Sequence, residues 1–164
     1  MKPLLLALAL AASMLPPLAH AEASADTKTR IAAAKVDYER ARKAIDRLDW
    51  KGAIAALESA AGHDPQDAEF QNLLGFAHRN NGNMEAAFRH YFRALELNPF
   101  HRGAHEYIGR AYLMSDKPEK ALEHLKALER QCPEGCKERD LLKRAIAEYP
   151  WPDQARLSGS VRGY

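Results

Sequence analysis

Apolar residues near the carboxyl end of the chain recur at the spacing of one helical face. Over residues 136–149 they stand one or three positions apart, and charged side chains fill most of the positions between them. Residues three or four apart lie on the same side of an α-helix, so the pattern predicts an amphipathic helix here. The apolar stripe consists of Leu141, Leu142, Ala145, Ile146 and Tyr149.

The amino-terminal residues are apolar without such a period. Lys2 precedes an apolar run over residues 4–15, two prolines end the run, and small residues flank His20. This arrangement is typical of a secretory signal peptide over residues 1–21, cleaved after Ala21. The run is shorter than the roughly 20 apolar residues that a membrane span requires. We therefore expect an exported chain, periplasmic or secreted, with no membrane insertion after cleavage.

Between these ends, several residue types recur every 34 positions, a period typical of helical repeat proteins. When repeats are counted from Ala34, Ala68 and Arg102, positions 8 and 20 hold small residues, position 24 a large one and position 32 proline. Small residues let two helices approach closely, the large residue fills the space between them, and proline ends the second helix. The small residues are Ala41, Gly75, Gly109, Ala53, Ala87 and Ala121, the large ones are Leu57, Tyr91 and Leu125, and the prolines are Pro65, Pro99 and Pro133.

The chain resembles the tetratricopeptide repeat family, most clearly at LLGFAHRNNGNMEAAFRHYFRALELNP, residues 73–99. The resemblance extends over residues 34–135 and implies an all-α fold, a right-handed α-solenoid of three helical hairpins with a carboxyl-terminal capping helix. The expected segments are an extension at 22–33, repeats at 34–67, 68–101 and 102–135, the cap at 136–149 and a flexible tail at 150–164. The expected repeat helices are 30–47, 51–62, 67–80, 84–97, 101–114 and 118–131.

The resemblance also implies that the first helix of each hairpin lines a concave groove. Positions 2, 5, 9 and 12 fall on one helical stripe, which predicts a mildly positive, solvent-facing surface with aromatic anchors for a protein or peptide partner. The predicted groove residues are Lys35, Tyr38, Arg42, Asn72, Phe76, Arg79, Glu106, Arg110 and Leu113, with Ile45, Glu69 and Gly103 at the remaining positions. Family members that clamp the acidic carboxyl terminus of heat-shock chaperones carry Lys, Asn and Arg where this chain has Tyr38, Arg42, Leu73, Gly103 and Tyr107. That specificity is therefore not expected.

Other kinds of chemistry find little support in the residues. The chain has 24 basic and 22 acidic residues without a basic block, which argues against nucleic-acid binding. The start of a zinc-protease pattern at His105-Glu106 meets Gly109 where the second histidine should stand. His101 and His105, one helical turn apart, are interpreted as surface or packing residues. We expect a non-enzymatic scaffold or adaptor without a cofactor or metal.

The two cysteines, Cys132 and Cys136, enclose the turn-forming residues Pro133 and Gly135. Export would place them in an oxidising compartment, and the turn can bring their Cα atoms within disulfide distance. A disulfide that fixes the start of the cap is therefore predicted. The alternative is a thiol-redox or copper-type metal accessory protein that uses the same two cysteines.

Overall fold

The computed structural model of the chain describes residues 18–151, with side chains described from residue 25 onward, and this part forms seven α-helices and no strand. The helices pair in sequence as α1 with α2, α3 with α4 and α5 with α6, and α7 packs on both α5 and α6. The predicted all-α fold of three hairpins and a capping helix is confirmed. The helices are α1 Leu18–Asp46, α2 Trp50–His63, α3 Ala68–Asn80, α4 Met84–Leu97, α5 Arg102–Met114, α6 Pro118–Gln131 and α7 Lys137–Glu148.

The three prolines of the period stand in equivalent turns. In each turn the residue before the proline caps the carboxyl end of a helix, and its carbonyl accepts a hydrogen bond from the backbone N–H three residues on. Proline presets the backbone angle that the second residue of such a turn needs, and it has no N–H to donate. The turn bonds are Asp67 N to Asp64 O at 3.4 Å, His101 N to Asn98 O at 3.0 Å and Gly135 N to Cys132 O at 3.0 Å.

The predicted small residues lie where helices touch. Ala41, Ala53, Ala87 and Ala121 are fully buried. A Cβ atom added at Gly75 would overlap the ring of Tyr91, which comes from the second helix of the same hairpin. A Cβ atom at Gly109 would instead lie 2.6 Å from the Leu142 methyl carbons of α7. Position 8 therefore allows close packing within the second hairpin and close packing of the cap on the third.

The cap forms a larger apolar cluster than the stripe of apolar residues in its sequence predicts. Leu142 and Ile146 are fully buried, and Trp151 joins them in a cluster that includes Leu125 and Leu128 of α6. The indole Nε1 of Trp151 donates a hydrogen bond to the Ile146 carbonyl at 3.0 Å. The predicted flexible tail from residue 150 is therefore wrong at Trp151, because this large apolar ring completes the cap. The rest of that predicted tail lies outside the described residues.

The first helix begins earlier than predicted. It starts at Leu18 rather than at residue 30, so the whole of the expected extension over 22–33 is helical. A hydrogen bond connects this segment to α2, because the Arg30 guanidinium donates to the His63 carbonyl at 3.0 Å. Residues 1–17 of the predicted signal peptide lie outside the described residues. Across residues 18–151, no helix is long and apolar enough to cross a membrane.

Candidate binding groove

The first helices of the three hairpins share a surface cavity of about 320 Å³. Helix α1 contributes four of its residues, α3 three and α5 one, so the cavity exists only when the hairpins stack. Its walls combine aromatic and aliphatic side chains with charged groups at the edge. We call this cavity the groove; it is lined by Tyr38, Arg42, Ile45, Asp46, Glu69, Leu73, Phe76 and Tyr107.

Phe76 is the centre of an aromatic wall rather than a free anchor. Its ring centroid lies 5.0 Å from that of Tyr107 and 5.8 Å from that of Trp50, and the side chain is half-buried. Tyr38 is similarly supported by Phe70, with centroids 5.6 Å apart. The prediction of Phe76 as a solvent-facing side chain is wrong to this extent, because neighbouring rings cover part of it.

Arg79 does not present its charge to the groove as predicted. Its side chain is buried, and its guanidinium carbon lies 5.3 Å from the Phe76 ring centroid and 5.4 Å from that of Tyr107. One guanidinium nitrogen also donates to the Tyr107 carbonyl at 3.4 Å. Arg79 therefore ties α3 to α5 and supports the aromatic wall.

Asn72 and Glu106 are also buried, each only 2 % exposed, which corrects their predicted place on a solvent-facing stripe. The Asn72 amide donates to the Glu69 carboxylate at 3.0 Å. The Glu106 carboxylate accepts from the Arg110 guanidinium at 3.3 Å. Burial raises the pKa of Glu106, and the nearby Arg110 opposes that shift.

The remaining predicted residues differ in how close they come to the groove. Arg42 is exposed, lines the groove and stands 5.9 Å from the centroid of the Tyr38 ring. Lys35 is exposed in an adjoining depression that shares Tyr38 and Glu69 with the groove. Leu113 packs against the cap cluster and is not among the residues that line the groove, and its predicted role in binding stays a prediction.

Sequence reasoning left three lining residues out of the predicted groove, namely Asp46, Leu73 and Tyr107. Leu73 and Tyr107 both stand at position 6 of their repeats. Position 6 adjoins position 9 on the helical face, three residues on, so the spacing rule could have included it. In the sequence, Leu73 and Tyr107 stood out only because they replace the residues that chaperone-clamp members of the family carry.

A second polar layer joins the two helices of each hairpin at position 4. Asp37 accepts from the Ser59 hydroxyl, Gln71 Oε1 lies 2.9 Å from His90 Nδ1, and His105 Nδ1 lies 2.9 Å from His124 Nδ1. Burial and the neighbouring His105 lower the pKa of His124 to about 4. These contacts explain why position 4 is polar here.

His101 and His105 stand one helical turn apart in the sequence, but they have different partners in the structure. His101 caps α5, with Nδ1 accepting from the Ala104 N–H at 3.1 Å, and its Nε2 faces Glu69 at 3.0 Å. His105 instead turns toward His124 on α6. The two histidines on neighbouring turns therefore do different things, one at a helix terminus and one between helices.

The sulfurs of Cys132 and Cys136 are bonded in the structure, and their Cα atoms are 6.0 Å apart. The bond joins the residue that follows α6 to the residue that precedes α7, and Gly135 takes a φ of +114° between them. Arg139 covers the turn by donating to the Cys132 carbonyl at 3.3 Å and to the Pro133 carbonyl at 3.0 Å. In the part of the chain that the structure describes, no group of three or more His, Cys, Asp or Glu side chains is placed to hold a metal ion.

The fold and the groove together define a helical-hairpin solenoid with a concave surface. The family model described as tetratricopeptide repeat matches residues 38–96 and 89–135, more than half of the chain. The chain belongs to the tetratricopeptide repeat family.

Solved structures of this family share the fold. The yeast Sti1 TPR2B domain in its complex with pHsp70 superposes with a TM-score of 0.64 at 20% identity, over 71% of this chain and 97% of that one. The first TPR of Spaghetti (RPAP3), bound to the HSP90 peptide SRMEEVD, gives a TM-score of 0.63 at 18% identity, over 71% of this chain and 93% of that one. Identities this low establish the fold alone.

A similar segment also occurs in a much larger protein. The human protein O-mannosyl-transferase TMTC3 is 29% identical over 75 residues, which are 46% of this chain and 8% of that protein. The similarity is confined to that short segment.

Proposed function

We propose that this chain is a non-enzymatic scaffold or adaptor that binds a protein or peptide segment in the groove. The observation that carries the proposal is the groove itself, an apolar-walled cavity assembled from α1, α3 and α5 with the exposed Arg42 at its edge. Aromatic and arginine side chains are the types most often found at binding hot spots.

The chemistry of the walls indicates what such a segment would contain. Ile45, Leu73 and Phe76 offer apolar contact, and a volume of about 320 Å³ accommodates one or two apolar side chains. Arg42 is the one basic residue that lines the groove, and Asp46 and Glu69 line it as well, so the predicted positive charge is confined to the Arg42 side chain, where a carboxylate of the partner would pair. The proposed ligand is a segment with an apolar anchor next to an acidic residue.

Similar solenoids have been solved in complex with peptides, which supports the proposal that this groove binds a peptide segment. The residues at the chaperone-clamp positions, however, indicate a different kind of ligand here. Three of the five chaperone-clamp positions hold Tyr38, Leu73 and Tyr107, which form an apolar wall here, and the other two hold Arg42 and Gly103. An apolar wall favours an apolar side chain over the carboxylates that a clamp of Lys and Asn would hold. We therefore propose a partner other than a chaperone carboxyl terminus.

We further propose that the mature chain acts in the periplasm or is secreted. The support is the pattern over residues 1–21 and the cysteine pair, which suits an oxidising compartment. Cell fractionation followed by intact-mass measurement tests this proposal. Protein that begins at Glu22 in the exported fraction agrees with it, and uncleaved protein confined to the cytosol contradicts it.

Site-specific photo-cross-linking in producing cells tests the groove. A photoreactive amino acid replaces Arg42 in one variant and Val36 in the other; Val36 is 66 % exposed on the same helix and does not line the groove. We expect a defined partner to be captured from position 42 and not from position 36, and a peptide from the captured segment to compete with it. Equal capture from both positions, or none from position 42, would contradict the proposal.

A further inference from the structure

A second cavity, of about 730 Å³, lies where the turn between α4 and α5 meets the last turn of α6. A volume of this size is within the range of ligand pockets in proteins. Among the described residues, none lines both this cavity and the groove, and those that line the cavity include two arginines and no carboxylate. We call it the turn cavity; its lining includes Pro99, Phe100, Arg102, His105, Ala127 and Arg130.

Phe100 brings a large apolar ring to the turn cavity, and its side chain is 75 % exposed. The turn fixes its backbone, because the Phe100 N–H donates to Asn98 Oδ1 at 3.0 Å and the His101 N–H donates to the Asn98 carbonyl at 3.0 Å. The equivalent residues of the other two turns are Gln66 and Glu134. The turn therefore does not require an apolar side chain here, and the ring is available to a partner.

Arg130 takes the place of the acidic member of an ion pair in the preceding hairpin. At the end of α4, 34 residues earlier, Glu96 accepts a hydrogen bond from Arg93 at 3.0 Å. The corresponding residues at the end of α6 are Arg130 and Ala127. This exchange removes the ion pair, leaves space beside the short Ala127 side chain and makes the surface positive.

Arg102 stands where a positive charge does not help its helix. It is the first residue of α5, where the helix dipole is also positive, and the first turn of α5 contains no acidic residue. The equivalent residue at the start of α3 is Ala68. Among residues 25–151, neither Arg102 nor Arg130 lies within ion-pair distance of a carboxylate. Both charges are therefore available to an anion from outside the fold.

We propose that the turn cavity is a second docking site, which binds an acidic segment of a protein partner. Carboxylates of the segment pair with Arg102 and Arg130, and an apolar side chain packs on the ring of Phe100. His105 supplies a neutral wall, because burial lowers its pKa and its Nε2 donates to the Pro99 carbonyl at 3.1 Å.

The charge of the lining separates this site from the groove. The groove combines Arg42 with Asp46 and Glu69, so a segment with several carboxylates is repelled there. In the turn cavity the same segment meets two arginines. The proposal does not depend on what the groove binds, and a chain with two separate docking sites can hold two segments at once.

Fluorescence anisotropy on the full chain tests the proposal with the peptide Glu-Glu-Leu-Glu-Glu, labelled at one end and blocked at the other. We expect binding that weakens as salt is added. The variant R102Q/R130Q should bind at least about tenfold more weakly, because it loses hydrogen bonds between charged groups. F100Q, which introduces the residue found in the first turn, should bind at least about fivefold more weakly. R93Q is the matched control, an exposed arginine at the equivalent place in α4, and should not change the affinity.

Nuclear magnetic resonance of the unaltered chain gives an answer that does not depend on any variant folding. The peptide should shift the amide signals of Phe100, Arg102 and Arg130 before those of Tyr38 and Phe76 in the groove. Inorganic phosphate should bind at least about tenfold more weakly than the peptide, since it cannot pack on a ring.

Four results would overturn the proposal. They are no binding of the peptide to the unaltered chain, undiminished binding in R102Q/R130Q, earlier shifts in the groove than in the turn cavity, and phosphate binding as tight as that of the peptide. The last result would show a site for small anions only.

Discussion

In the second hairpin the ring of Tyr91 fills the space beside Gly75, whereas in the third hairpin the space beside Gly109 is filled by Leu142 of α7. The residue equivalent to Tyr91 in the third hairpin is Leu125, which is smaller. The second hairpin therefore closes its own core at this position, and the third depends on the cap. The glycine at position 8 therefore packs against the residue at position 24 of its own hairpin where that residue is a tyrosine. Where that residue is a leucine, the glycine packs against the cap.

The polar layer at position 4 differs between the same two hairpins. Gln71 and His90 are an amide and an imidazole, so both can remain bonded in one arrangement. His105 and His124 are two imidazoles that share one proton between their Nδ1 atoms. The third hairpin thus has both the core that depends on the cap and a polar contact in which one imidazole must donate to the other.

The largest expected effect comes from removing the side chain by which the cap closes the third hairpin. Leu142→Ala should lower the free energy of unfolding by about 2–5 kcal/mol, the range for a fully buried leucine that leaves a cavity. Urea unfolding followed by circular dichroism measures it. Lys143→Ala, an exposed change on the same helix, should stay within about 0.5 kcal/mol. A similar cost for both variants would show that α7 does not close the core.

The next largest effect is a difference in stability between alanine variants of the two glycines at position 8. Gly75→Ala should destabilise by about 1–3 kcal/mol through overpacking, since the ring it meets belongs to the fully buried Tyr91. Gly109→Ala should cost less, because it meets the flexible end of Leu142.

Gly62→Ala is the matched control, since a Cβ atom there meets nothing within 4 Å. That change should stabilise the helix by up to about 1 kcal/mol. Thermal unfolding of the three variants ranks them. A larger cost at Gly109 than at Gly75 would reverse the comparison of the two hairpins.

The disulfide should contribute about 1–3 kcal/mol, because it closes a very short loop. Intact mass before and after alkylation reports whether Cys132 and Cys136 are joined in protein taken from producing cells, where we expect no free thiol. Replacement of both cysteines by serine should leave the chain folded and speed hydrogen exchange in α7 more than in α3. Two free thiols, or uniform loosening of all helices, would contradict this role.

The smallest expected effect concerns Glu106 and depends on pH. Burial raises the pKa of this carboxyl in the folded chain, so folding favours its protonated form, and its favourable contribution is lost as the pH rises above the ordinary pKa near 4.5. The stability of Glu106→Gln relative to the unaltered chain should therefore increase between pH 4 and pH 7. Unfolding measured across that interval checks the sign. A relative stability that falls with pH would mean that the ion pair with Arg110 dominates.

The sequence predicted the repeat well because its signals are local and periodic. Proline at fixed spacing marks equivalent turns, and small residues at positions 8 and 20 mark helix contacts. Burial within the groove was harder to predict, since it depends on what the neighbouring helix presents. Asn72, for example, lies beside Gly103, and an added Cβ atom there would come 3.2 Å from its amide nitrogen. Trp151 escaped prediction because a single aromatic residue after a proline has no period.

The central claim is that the groove on α1, α3 and α5 binds the partner segment, and paired charge reversals test it most directly. Arg42→Glu changes a groove residue, and Lys43→Glu makes the same change on the next residue, which is exposed outside the groove. Fluorescence anisotropy would measure the affinity of each variant for a labelled peptide from the segment captured at position 42. We predict at least about tenfold weaker binding for Arg42→Glu, which corresponds to about 1.4 kcal/mol, and little change for Lys43→Glu. Equal losses in the two variants, or no loss in Arg42→Glu, would contradict the claim.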